Sequence, residues 1–73
     1  MKSAIAKNVK SIIKREGLKQ GVVAERAGYE YKAFSNMLNG RKIITDIDVI
    51  NIANALEVKP NELYGLVAQK EVG

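Results

Sequence analysis

Apolar residues recur at α-helical spacing along the whole chain, and no segment alternates apolar with polar residues in the manner of a half-buried strand. That confines the fold to helices. Ile5, Val9, Ile12 and Ile13 stand at i, i+4, i+7 and i+8, one stripe of a first helix with Ser3 as candidate N-cap and Gly17 as its stop. Lys7, Lys10 and Lys14 lie on its opposite side and read as solubility charge, with contact to backbone phosphate as the alternative. A second, short helix starts near Lys19 or Gln20, turns Val23, Ala24 and Ala27 inward and ends at Gly28. A third runs from about Glu30 to Leu38, closed by Asn39-Gly40. Two helices separated by so few residues must turn sharply. Thr45, with Asp48 three residues on, predicts the capped start of a fourth helix that presents Val49, Ile52, Ala53 and Leu56. Pro60 fits the first position of a short fifth helix that includes Glu62, Leu63 and Tyr64, which residues 66–73 extend or leave to fray.

At 73 residues this is a single domain, 1–73, and it has no cysteine with which to staple itself. A chain this short buries only about 60% of its unfolded surface, so it needs an efficient apolar core or a partner subunit. A hydrophobic content of 47% makes the core attainable. With neither Cys nor His, thiol nucleophiles, ordinary zinc sites and the commonest general base are missing. The carboxylates are scattered and no Gly-rich phosphate loop is present, so neither an enzyme nor a cofactor is expected. No apolar run approaches the roughly 20 residues of a membrane span, and Met1 to Lys10 lacks the layout of a secretory signal. A soluble, cytoplasmic protein is expected.

Charge is distributed unevenly. Residues 1–45 carry ten basic against three acidic side chains, a balance of +7, whereas residues 46–73 carry two against five, a balance of −3. One side is suited to a polyanion, the other to something else.

The residues of the second and third segments sharpen this. Leu18, Gln20, Val23, Ala24, Glu25, Arg26, Ala27, Gly28, Phe34, Ser35, Met37, Gly40 and Arg41 occupy the positions of a helix-turn-helix over about residues 18–41. This run resembles the DNA-binding motif of the phage repressor and Cro family of small bacterial and phage regulators. Thr45, Ile52, Ala53, Ala55, Leu56, Val58, Glu62 and Leu63 resemble that family's closing helices, so the likeness covers about residues 5–64. It implies an all-α, compact five-helix, lambda-repressor-like domain. The spacing has its own physical logic. Ala24 must be small where the third helix crosses the second, Gly28 supplies the turn, and Phe34 and Met37 pin the third helix down. At about 100° per residue, Tyr31, Lys32, Ser35 and Asn36 then cluster on the outer side.

The resemblance assigns roles to that face. Tyr31, Lys32 and Asn36 match positions that commonly reach base edges, with Ser35 nearby for a base or phosphate. Lysine donates to guanine, asparagine pairs with adenine, and tyrosine offers a hydroxyl or packs on a thymine methyl. Gln20 matches the family's backbone-binding glutamine, where the start of the second helix also favours a phosphate. Asn39, Arg41 and Lys42 are the other phosphate candidates. Tyr31 has an alternative, packing over Phe34 or Lys32, and Tyr29 is read as core.

Four positions depart from the family pattern. Glu30 stands where a Ser or Thr N-cap is usual, and phosphates repel it unless it caps the helix or accepts from cytosine N4. Gly21 sits inside the second helix at a cost of up to roughly 1 kcal/mol relative to alanine. Ile13 and Leu38 replace an Arg–Glu pair that some relatives bury, giving an apolar contact with no desolvation cost.

One helix in one groove makes too few contacts for operator-level affinity, so the likeness implies a homodimer on half-sites about 34–36 Å apart. Ile43, Ile44, Ile47, Ile50, Tyr64, Leu66 and Val67 are the candidate dimer interface, Ile47 pointing nearly opposite the Val49–Leu56 stripe. The expected function is a sequence-specific transcriptional regulator of double-stranded DNA, a repressor at a palindromic operator, with no small-molecule ligand. A protein-interaction module, such as an antitoxin or anti-repressor component of the same fold, is the alternative.

Overall fold

The computed structural model describes residues 4–65. Five helices follow one another: α1 (Ala4–Arg15), α2 (Gln20–Ala27), α3 (Tyr31–Leu38), α4 (Asp46–Leu56) and α5 (Pro60–Leu63). No strand occurs among the described residues. The Ser3 cap and residues 66–73 lie outside that range.

Each boundary has a local cause. The Gly17 stop sits just beyond α1, where the Leu18 N–H reaches back to the Ile13 carbonyl at 3.0 Å. At the end of α2, Gly28 is left-handed (φ +87°), which lets the Tyr29 N–H close on the Ala24 carbonyl at 2.9 Å. Only two residues separate α2 from α3 beyond that glycine's reversal, Tyr29 and Glu30. α4 begins with a complete capping box. The Thr45 hydroxyl accepts from the Asp48 N–H at 3.2 Å, and the Asp48 carboxylate accepts from the Thr45 N–H at 2.9 Å. Pro60 opens α5, but Tyr64 is its C-cap and not part of the helix. α4 ends on a residue the pattern does not flag: Glu57 adopts the left-handed conformation (φ +58°, ψ +42°) without being a glycine.

Helix α2 packs on α3 and α4, α1 packs on α3 and α5, and α4 packs on α5. Val9 from α1, Val23 from α2, Phe34 from α3, Ile52 from α4 and Leu63 from α5 are all fully buried, so every helix contributes to one centre. Ala24 is buried beside them, as the close crossing of α2 and α3 requires. Ile13 and Leu38 also belong to this cluster. Among the described residues no polar or charged side chain is buried. The centre therefore carries no desolvation penalty, and each large side chain in it contributes about 1.5–3 kcal/mol. One polar tie crosses its edge: Asn8 Nδ2 donates to the Leu63 carbonyl at 2.9 Å, fastening α5 to α1. No described helix is long and apolar enough to cross a membrane.

Candidate nucleic-acid interface

Helix α3 has two faces. Phe34, Met37 and Leu38 are buried and hold it down, while Tyr31 is 60% exposed and Lys32 is exposed on the other side. Ser35 and Asn36 share that outer side but are half-buried, less open than the helical geometry alone predicts. The chain after α3 turns back at the end of the helix. Both the Arg41 and the Lys42 N–H donate to the Asn36 carbonyl, at 2.8 and 3.1 Å, so residues 39–42 fold back over the end of the helix. The Asn39 side chain donates to Ser35 Oγ at 3.3 Å. As a result Asn39, Arg41 and Lys42, all exposed, are gathered at one end of α3. The Asn39 amide is engaged with Ser35 and is not a fully open donor.

At the other end, α2 begins with a half-buried Gln20, and Lys19 in the N-cap position makes no side-chain cap bond. The first turn of α2 thus lacks a side-chain partner of the kind that Thr45 gives α4. Glu30 stands at the N-cap of α3, is exposed, and does not cap it either. Of the two ways in which its carboxylate becomes tolerable, capping is the one the structure does not use.

Tyr31 does not take the Phe34 stack. The ring parallel to Phe34 belongs to Tyr29, with centroids 6.2 Å apart and an interplanar angle of 7°. Tyr31 instead lies beside Gly21 of α2, where a Cβ would stand 3.6 Å from its Cδ1.

Tyr29 also forms a joint that sequence reasoning missed. It is half-buried against the core, as expected, yet its hydroxyl donates to the Asp48 carboxylate, and Asn51 Nδ2 donates to the same hydroxyl at 3.4 Å. Burial of the ring and the neighbouring carboxylate push the Tyr29 hydroxyl above its ordinary pKa, against a smaller opposite pull from Asn51. For Asp48, burial works to raise the pKa, but the hydrogen bonds from Tyr29 and Thr45 and the charge of Lys42 outweigh it and hold the carboxyl below its usual range. The available signal was general: a buried-edge tyrosine seeks a partner for its hydroxyl.

The candidate dimer residues divide. Ile43, Ile47 and Ile50 are 83%, 69% and 51% exposed, and Tyr64 is exposed. Ile47 and Ile50 share one face of α4, three residues apart. Ile44 is half-buried and packs against the chain's own core, so it offers less surface than the others. Ile43 and Ile44 are consecutive in a non-helical segment, and when one points outward the next points in. Leu66 and Val67 lie outside the described residues. The chain matches no protein-family model and no curated protein.

Proposed function

We propose that this protein is a sequence-specific double-stranded DNA-binding regulator of the phage repressor and Cro type, a cytoplasmic repressor that binds a palindromic operator as a homodimer. The reading rests on one arrangement. α3 is clamped by Phe34, Met37 and Leu38, leaving Tyr31 and Lys32 open with Ser35 and Asn36 beside them and Arg41 and Lys42 folded back at the end of that face. A helix so presented enters a major groove, the base-reading donors leading and the basic loop meeting phosphates. Gln20 and the first turn of α2, which has no side-chain cap, face a backbone phosphate in the same docking. Ile43, Ile47 and Ile50 supply the apolar surface for the second copy. No cofactor or small-molecule ligand enters this mechanism, and operator occupancy itself blocks the promoter.

Enrichment of bound sequences from random duplex DNA tests the proposal. The expected result is a palindrome with half-site centres about 34–36 Å apart, one helical turn. Recovery of no preferred sequence would refute it.

The exposed isoleucines also favour a second reading, an interaction module whose partner is another protein. Salt separates the two. If about six phosphates are neutralised across a dimer, log affinity for DNA falls with log salt at a slope near −5. A protein partner seated on isoleucines shows no such steepness.

A further inference from the structure

Among the described residues, Gly21 is the one glycine whose backbone conformation does not explain it. Gly17, Gly28, Gly40 and Gly65 have positive φ, whereas Gly21 lies within α2 in ordinary helical conformation, where glycine costs up to about 1 kcal/mol relative to alanine. Its surroundings offer a different reason. A Cβ at residue 21 would meet Tyr31 Cδ1 at 3.6 Å and Cε1 at 3.9 Å, and nothing else nearer than 4 Å. Those are ordinary contact distances, so a methyl group fits. Any longer side chain has to share its space with the aromatic ring.

Tyr31 is the first residue of α3 and 60% exposed. An exposed tyrosine left alone samples several rotamers. Here one edge of the ring lies over α2 at Gly21, within reach of a Cβ at that position, and the residue as a whole is exposed. We infer that Gly21 is a positioning residue for Tyr31. By leaving space on α2 it fixes the pose in which Tyr31 is offered to the groove, so base preference at the positions Tyr31 reads depends on the size of residue 21, which itself touches no base. The inference rests on the DNA-binding reading above. Gly21 stands next to Gln20, so seating the reading side chain and approaching a phosphate fall on adjacent positions of one turn.

The test compares wild type, Gly21→Ala, Gly21→Leu, Tyr31→Ala and the double change Gly21→Leu/Tyr31→Ala by enrichment from random duplexes. Folding is monitored by circular dichroism; residue 21 is exposed and leucine is the better helix former, so the variants are expected to fold. Gly21→Ala is expected to keep the wild-type motif. Gly21→Leu should weaken preference about 5- to 10-fold at the base positions that Tyr31→Ala weakens, and the double variant should do no more than Tyr31→Ala alone. In the free protein, NMR should show contacts from the Gly21 α-protons to the Tyr31 ring. A Tyr31-dependent motif indifferent to leucine at 21, additive losses in the double variant, or absence of those NMR contacts would overturn this inference while leaving the DNA-binding reading intact. A wild type that enriches no sequence would overturn that reading, and this inference with it.

Discussion

The Tyr29 hydroxyl donates to the Asp48 carboxylate across 19 positions of sequence, joining the turn between α2 and α3 to the first turn of α4. Asp48 already closes the capping box with Thr45, and the Tyr29 ring already stacks on Phe34. One polar contact therefore links the start of α4 to the residue that clamps α3. Tyr29→Phe keeps the stack and removes the link. A hydrogen bond to a charged group contributes about 1.5–3 kcal/mol when well buried, and less at this half-buried site, so a loss of about 1 kcal/mol is expected. In thermal melts that is a drop of roughly 4–8 °C for a domain of this size. Asp48→Ala, which also destroys the capping box, should cost more. A Tyr29→Phe variant as stable as wild type would show that the contact is not holding the two elements together.

The same pair makes stability respond to pH at both extremes. Asp48 titrates below its ordinary 3.8 in the folded chain, so its contribution is complete above that value and is lost as pH falls through the lower, folded one. Tyr29 titrates above its ordinary 10.0, so its contribution is complete below pH 10 and is lost as pH rises through the higher, folded value. Unfolding followed at a series of pH values should show Asp48→Asn flattening the acid limb and Tyr29→Phe flattening the alkaline one. Unchanged limbs in both variants would contradict the assignment.

Two left-handed residues should respond in opposite directions. Glu57 caps α4 at φ +58°, a conformation that costs a residue bearing a Cβ about 1 kcal/mol, so Glu57→Gly is expected to raise stability by about that much. Gly28 is at φ +87° with open space where a Cβ would stand, so Gly28→Ala should lose roughly 1 kcal/mol from backbone strain alone. Chemical denaturation midpoints measure both.

Glu30→Ser adds the cap that α3 lacks. A stability gain of about 0.5–1 kcal/mol is expected. If the outer face of α3 meets DNA, removing this exposed carboxylate should also strengthen binding to every duplex, read by fluorescence anisotropy.

What could be read from the sequence follows a physical division. Gly28, the Thr45–Asp48 box and the inward stripes of α1 and α4 depend on residues at most a few positions apart, and their periodicity or cap chemistry is written in the chain. The outward placement of Tyr31 and Lys32 follows from helical geometry once Phe34 and Met37 are fixed inward. Tyr29 with Asp48 was not legible, because a tyrosine at an apolar slot announces no particular partner 19 residues away. Nor was the half-burial of Ser35 and Asn36, which their outward helical position does not announce. Glu57 gives no sign of its left-handed turn, since glutamate is not a residue that favours it. The half-burial of Ile44 was not legible either, because consecutive isoleucines in a loop carry no helical register.

In the proposed DNA-binding mode the outer face of α3 reads bases while the loop after it holds phosphates. Its most direct test is a binding titration of wild type, Asn36→Ala and Arg41→Ala on the preferred duplex and on a scrambled one, at several salt concentrations. Asn36→Ala is expected to lose about 1–3 kcal/mol on the preferred duplex alone, whereas Arg41→Ala weakens both duplexes alike and reduces the salt slope by about 1. Equal losses from the two substitutions on both duplexes, or binding that ignores salt, would contradict it.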